Sequence, residues 1–372
     1  MAYQKFPVAP PWKGWMDSVP PNVAEANSFS KIVNWLINKG RLQSSMNIAI
    51  FSSTPTAGSP LLGGRTFQDA VTMFHTLLID QFGPSYWNGV AFQRLVQSPP
   101  ATTVYFLSNV LYAIEVMYNK AFFCNGGAPL FYADGDGGYY LAGDCPGTSY
   151  FLGKLDSHLL MVNIIEPVIG ITGSTRYPAR IRWSASGNPF VWLINPATML
   201  SEPTAGFIDI ADVEDQLTGY ATIGTTGYAF RNNGITTISV TGTLPPFKFE
   251  NFSIGPSGIG CWIAYTLATY GNFCAFVAQN DIYYFDGSNA PQPIGGNAKR
   301  SIFKSLAQAT GTPVAFMIGQ LAQDFDFLSY WLVCLGPAGI STVWVYHFDG
   351  QEWMQLQLPQ GVVTLLAQVA VL

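Results

Sequence analysis

The sequence predicts an all-β chain: a β-propeller of short four-stranded antiparallel blades behind a Pro-rich extended N-terminal arm. Three observations predict it. From Thr102 onward, short runs rich in Tyr, Phe, Trp, Val, Ile and Thr alternate with turn residues, the pattern of strands and tight connections. Over the same stretch no strong ten-residue amphipathic helix is found. An aromatic-then-Gly motif also recurs at intervals close to the length of a propeller blade. Sandwich or barrel domains are the alternative, because Asp-Gly hairpins occur in β proteins generally.

The elements follow in chain order. Pro7, Pro10, Pro11, Pro20 and Pro21 mark an extended leader. Phe29, Ile32, Val33, Leu36 and Ile37 lie at helical spacing, but the same stretch also suits a strand turning at Asn38-Lys39-Gly40, and short apolar runs do not decide between the two. Ser52 to Gly64 is an uncharged Ser/Thr/Pro/Gly loop, and Ser98-Pro99-Pro100 is a second break. This gives residues 1–64 as arm and leading strands and 65–372 as the propeller-like domain. Strands are expected at Val104–Leu107, Leu130–Ala133, Thr236–Thr241, Ile282–Phe285 and Thr342–Phe348.

The repeat consists of aromatic strand residues, a small polar residue and Gly, then a return strand. It occurs at Leu130–Gly135, Ile181–Gly187, Tyr228–Gly234, Ile282–Gly287 and Val345–Gly350, so its glycines step from 135 to 187, 234, 287 and 350, intervals of 52, 47, 53 and 63 residues. The turn residues are Asp134-Gly135, Gly187, Asn233-Gly234, Asp286-Gly287 and Asp349-Gly350. Gly at these points is expected to supply the positive φ of a tight hairpin, while the flanking aromatics pack against neighbouring blades.

Composition bounds the function. Of 372 residues 49% are hydrophobic and only 10% charged, against about 25% charged in an ordinary soluble domain. So little charge suggests that part of the surface is covered by partners. The 37 Gly and 25 Pro exclude a coiled coil. Seventeen Lys and Arg against a net charge of −5 cannot build a broad phosphate-binding face. Cys124, Cys145, Cys261, Cys274 and Cys334 are odd in number, without a C-x-x-C pair, and are expected to be reduced, which points to folding in a reducing cytoplasm. Met1 to Pro11 lacks the apolar run of a signal peptide. Ile259 to Gln279, broken by Gly260, Gly271 and Asn272, is not expected to span a membrane.

No stretch names a reaction. His75, His158 and His347 lie far apart, without Cys or His at ligand spacing. Asp134-Gly135-Asp136-Gly137-Gly138 resembles the start of a calcium loop, but the twelfth position is Cys145 and not the required Glu. A Gly-rich hairpin tip is the plainer account, with a looser calcium turn left open. Asp209, Asp212, Glu214 and Asp215 could supply an acid and a base, though proximity in sequence does not make two carboxylates face each other. Gly255 to Gly260 is neither a nucleophile elbow nor a dinucleotide fingerprint. Ser184 to Trp192 and Asp349 to Trp353 imperfectly echo the box of sialidase-like propellers, which also need clustered arginines. Of Arg176, Arg180 and Arg182, only the last two surely share a strand face. Catalytic, metal-binding and cofactor-binding residues are therefore not assigned.

Arg180-Ile181-Arg182-Trp183-Ser184, continuing through Gly187-Asn188-Pro189 to Val191-Trp192, resembles a signature of β-propeller tail proteins of tailed bacteriophages, including nozzle proteins of short-tailed phages. The order of later motifs is similar too: Gly206 to Ile210, Gly224 to Gly234, Pro245 to Phe249, Gly258 to Cys261, Ile282 to Asn289 and Val345 to Trp353. Pro20-Pro21-Asn22, Val33-Asn34 and Gly40-Arg41-Leu42 look like the family's N-terminal arm. The uncharged stretch from Ala49 to Gly64 departs from it. The resemblance implies a structural virion component, made in the host cytoplasm and assembled with copies of itself as a ring around the DNA exit channel. Adjacent tail, adaptor or portal proteins would be its neighbours, and genomic DNA would pass without sequence-specific binding. It implies no catalytic residues and no cofactor. The alternatives are a sugar-active propeller, which needs carboxylates and arginines converging at the axis, and an adhesin with Trp12, Trp15, Trp87 and Trp192 on its surface.

Overall fold

Aromatic and β-branched runs fit a pleated surface that is covered on both faces. The computed structural model describes residues 13–15, 28–29, 35–38, 41–44, 61–87, 91–98, 110–167, 173–192, 204–210, 215–252, 258–322, 325–336 and 340–359. Its strands form six small four-stranded antiparallel blades around one axis, a six-bladed β-propeller.

Four short strands come first: β1 (Lys13–Trp15), β2 (Ser28–Phe29), β3 (Trp35–Asn38) and β4 (Arg41–Ser44). β3 and β4 pair antiparallel with Asn38 opposite Arg41, so the strand alternative holds at Trp35–Asn38. Blade one is β5 (Leu61–Gln68), β6 (Phe74–Asp80), β7 (Gly83–Trp87) and β8 (Phe92–Arg94). Its first strand runs across the division placed between residues 64 and 65. After β9 (Val96–Gln97), blade two is β10 (Ala113–Met117), β11 (Lys120–Cys124), β12 (Phe131–Ala133) and β13 (Gly138–Leu141), with β9 added in parallel beside β13. Blade three is β14 (Thr148–Leu155), β15 (His158–Pro167), β16 (Ser174–Ala185) and β17 (Asn188–Trp192), and β18 (Gly206–Asp209) also pairs with β16. Blade four is β19 (Leu217–Ile223), β20 (Thr226–Arg231), β21 (Ile235–Val240) and β22 (Phe247–Asn251). Blade five is β23 (Ala268–Tyr270), β24 (Phe273–Val277), β25 (Ile282–Phe285) and β26 (Gln292–Pro293). Blade six is β27 (Val314–Ala322), β28 (Phe325–Leu335), β29 (Ile340–His347) and β30 (Glu352–Pro359). β1 and β3 lie beside β30. Of the expected strands, Val104–Leu107 lies outside the described residues.

The core lies between blades. Phe230 of blade four meets Phe276 of blade five at 5.0 Å, and Tyr228 meets Phe285 edge-on at the same distance. Offset and edge-on pairs of this kind suit the ring quadrupole. Hydrogen bonds between neighbouring inner hairpins add to the seams. Asn119 donates from blade two to the Asp69 carbonyl of blade one at 2.8 Å, and Lys154 of blade three donates to the Val116 carbonyl of blade two at 3.1 Å.

Among the described residues one α-helix, α1 (Lys299–Ala307), precedes blade six. The sequence pattern gave no sign of it, because it is nine residues long and Ile302 is its only buried residue. It is held by tertiary contact. Ile302 joins the core between blades five and six, and Ser305 accepts a hydrogen bond from the Trp344 indole at 3.1 Å.

The repeat marks the turn between third and fourth strands in blades two, three, five and six. In blade four Asn233-Gly234 falls between the second and third strands, one turn early. The positive φ expected of these glycines occurs at Gly135, Gly187 and Gly287, but not at Gly234 or Gly350. In the last turn Gln351 takes that role with φ 53°. At Gly234 a Cβ would instead lie 2.7 Å from Arg231 Nη2, while the close backbone approach here is permitted by Gly260, whose Cβ would lie 2.4 Å from the Gly234 nitrogen.

Candidate functional site at the propeller axis

In an antiparallel meander each blade offers one strand to the axis, and here it is the first. Gly63–Arg65, Ala113–Glu115, Phe151–Leu152, Thr218–Tyr220, Thr269 and Val314–Phe316 surround a cavity of about 300 Å³. At the end where these strands begin lies a larger cavity of about 680 Å³. Leu62, Leu111, Phe151, Thr218, Tyr265 and Val314 line both, so a largely apolar waist separates them. Phe151 and Tyr265 face each other across this waist at 5.3 Å. Tyr265 adopts φ 66°, and its carbonyl accepts the Ala315 N–H of blade six at 2.9 Å. Burial pushes its hydroxyl pKa up.

The two cavities differ chemically. In the lower one Glu115 accepts an ion pair from Arg65 at 3.4 Å and stands 3.9 Å from Lys154. Arg65 also donates to the Ile114 carbonyl at 2.8 Å. In the upper cavity Arg176 donates through Nε to Asn163 Oδ1 at 3.1 Å and through Nη2 to Gln216 Oε1 at 3.3 Å. Its guanidinium lies 4.7 Å from the Tyr150 ring centre, within cation–π range. Asn163 is buried, sits at φ 58° where the β15–β16 register shifts, and donates to the Leu217 carbonyl at 2.8 Å. The described residues lining the upper cavity include no Asp or Glu.

The three arginines of β16 therefore do not converge. Arg180 and Arg182 are buried in blade three, where both bind Glu166, at 2.9 and 2.8 Å. Arg180 also grips both carboxylate oxygens of Asp209 at 2.7 Å. Its ring neighbours Tyr177 and Phe207 lie at 3.7 and 4.4 Å. The Asp209 and Glu166 carboxylates hold Arg180 still more firmly in its charged form. Alternation along the strand put Arg180 and Arg182 on one face, as expected. The register shift between Val162 and Ile164 redirects the pairing toward Arg176. The rest of the signature also builds the blade. Trp183 donates to the Thr204 carbonyl at 3.0 Å and packs edge-on against Phe247. Ser184 Oγ accepts the Leu159 N–H, while its carbonyl accepts His158 Nδ1–H at 2.7 Å. Gly187 closes the β16–β17 hairpin.

The other sequence candidates are scattered. Asp134 pairs with Lys120 at 3.0 Å, and the Gly135 N–H donates to Tyr86 at 3.1 Å. Asp136 accepts from Tyr140 and from the Gly138 N–H. Among the described residues no group of three His, Cys, Asp or Glu could hold a metal ion. Asp286 accepts the Ser288 and Asn289 N–H groups, which make it a turn residue. Asp215 accepts the N–H groups of Asn232 and Asn233 at 3.2 and 2.8 Å, so it caps the turn before Gly234. Asp212, Glu214 and Trp12 lie outside the described residues. Asp349 and Gly350 form the β29–β30 turn. His75 pairs with Asp69 at 2.8 Å, and burial lowers the His347 pKa. Trp192, expected on the surface by the adhesin reading, is buried and donates to the Pro189 carbonyl. All five cysteines are free. No helix among the described residues is long and apolar enough to cross a membrane. Sequence reasoning missed Tyr150, Asn163, Gln216 and Tyr265, whose only signal is their place in or beside first strands.

No family model matches the chain, and no curated protein matches it. Solved structures resemble the chain at low identity. The extracellular domain assigned to a hybrid two-component system of B. thetaiotaomicron is 8% identical over 81% of this chain, with a TM-score of 0.45. This chain covers only 34% of that domain's length. The SapL1 lectin, solved with α-methyl fucoside, is 11% identical over 81% of this chain and 97% of its own, with a TM-score of 0.39. BamB of Moraxella catarrhalis is 9% identical over 84% of this chain and 99% of its own, with a TM-score of 0.38.

Proposed function

We propose that the chain is a structural subunit of a bacteriophage tail, assembling with copies of itself in a ring around the DNA exit channel. One observation carries this reading: the residues of the tail-protein signature build the blade. Arg180, Arg182, Glu166 and Asp209 spend their charges on one another, and Trp183 and Ser184 lock strands together. The scarcity of charge supports it, because a subunit flanked by copies needs less charged surface. Axial cavities of about 300 and 680 Å³, parted by a largely apolar waist, are far too small to pass a duplex. On this reading DNA runs between subunits, past a wall of low positive charge that lets it go. Adjacent tail, adaptor or portal proteins contact the blade loops. Quantitative mass spectrometry of gradient-purified particles tests the proposal. It expects this chain at a fixed multiple of the other tail proteins, and absence from the particles overturns it.

A second reading, a carbohydrate-binding propeller, is favoured by the upper cavity, where aromatic faces, amides and a guanidinium meet.

A further inference from the structure

At the solvent-exposed edge of the upper axial cavity stands Arg176, a cation without a matching anion. Arg65, Arg94, Arg180 and Arg182 each stand against a carboxylate. Arg176 is fixed instead by two neutral amide oxygens and an aromatic face, and no carboxylate among the described residues pairs with it. Its Nε and one Nη2 hydrogen are engaged, which leaves the Nη1 side of the fork for an incoming anion. Asn163, buried and itself anchored to Leu217, sets the orientation of that fork.

The surroundings define the rest of the ligand. Tyr150 stacks on the guanidinium, Phe151 and Tyr265 stand at the waist, and Thr310 and Thr312 supply hydroxyls along the wall. A cavity of about 680 Å³ lies in the range of small-molecule sites, roughly 300–1,000 Å³. A simple inorganic anion would leave the aromatic faces unused, and a neutral ring would leave the guanidinium unpaired.

We propose that this cavity binds a carboxylated sugar residue, its carboxylate on Arg176, its ring over the waist aromatics and its hydroxyls toward the threonine wall. The proposal rests on the carbohydrate-binding reading and deepens it by naming the ligand class. It is compatible with a virion subunit that meets an acidic glycan.

The test is isothermal titration of the full chain with glucuronic acid, glucose and inorganic phosphate, each up to about 10 mM, a limit that reaches weak millimolar binding. Saturable glucuronate binding is expected, with glucose and phosphate at least about tenfold weaker. Arg176→Gln is expected to weaken glucuronate at least about tenfold. Arg176→Lys, which keeps the charge but loses the fork, is expected to fall between the two. Arg300→Gln, on the helix outside the cavity lining, is expected to change nothing. Thermal melts confirm that each variant is folded. Glucose binding as tightly as glucuronate, with Arg176→Gln unaffected, overturns the carboxylate assignment while the carbohydrate reading survives. Phosphate binding as tightly as glucuronate overturns the sugar assignment. No saturable binding of either sugar overturns both.

Discussion

Glu166 is the carboxylate shared by two buried guanidiniums, so its removal tests how blade three is held. Glu166→Ala deletes hydrogen bonds of 2.9 Å from Arg180 and 2.8 Å from Arg182. A hydrogen bond to a charged group contributes about 1.5–3 kcal/mol, and breaking a buried ion pair from one side costs about 3–5 kcal/mol. Arg180 retains both Asp209 oxygens at 2.7 Å, so the damage falls mainly on Arg182, whose side chain is only 3% exposed. The expected loss is therefore about 3–4 kcal/mol, near the lower end of the range for a broken buried pair. Asp209→Asn should cost only about 1 kcal/mol, because the Asp209 side chain is 48% exposed and solvent screens it. In the double variant Glu166→Met with Arg182→Met both charges leave together, and at least half of the lost stability should return. Equilibrium urea unfolding followed by tryptophan fluorescence measures all three. A loss under about 1 kcal/mol for Glu166→Ala, or a double variant less stable than the single one, would refute the reasoning.

Other outcomes follow from the same geometry. A Cβ on Gly153 would lie 2.0 Å from the Tyr220 ring across the seam between blades three and four, so Gly153→Ala should destabilise by about 1–3 kcal/mol. Adding Tyr220→Ala should relieve that clash, which a double-mutant cycle reads directly. Burial raises the thiol pKa to about 11 at Cys124 and about 12 at Cys145, Cys261 and Cys334. Alkylation at pH 8 should therefore be slow in the native protein and fast in urea, and rapid native labelling of several thiols would contradict the packing. The Asp69 carboxyl is held below its ordinary 3.8 by its bond from His75 and by the Met73 and Val71 N–H groups. A lowered folded pKa means that the unfolded chain binds protons first on acidification. Asp69 should thus stabilise above about pH 4 and lose that contribution as pH falls through its lower folded value. Urea midpoints between pH 3 and 6 should be flatter for Asp69→Asn than for the native chain.

The propeller was legible because its signal is local. Aromatic-Asp-Gly turns in blades two, five and six fall where a third strand gives way to a fourth, and the strands at Ile282–Phe285 and Thr342–Phe348 needed only β propensity and turn residues. The physical reading slipped where the backbone solved the turn differently. Gly350 passed its left-handed conformation to Gln351, and Asn233-Gly234 serves the earlier turn under the cap of Asp215. Helix α1 escaped because tertiary packing of Ile302 compensates for a weak pattern. The axial cavity was not legible, since Tyr150, Asn163, Gln216 and Tyr265 come from three separate blades and their linkers. Only the closed ring brings them together. The β15–β16 register shift that frees Arg176 from the Arg180–Arg182 face has no sequence marker beyond Asn163.

The most direct test of the central claim is a cryo-electron microscopy map of the intact particle. The account predicts six-bladed density in the tail, repeated symmetrically around the DNA path, with the Arg180–Glu166–Arg182 lattice inside each copy and DNA outside each propeller axis. A particle whose tail lacks this density, or a duplex threaded through a single propeller, would contradict it.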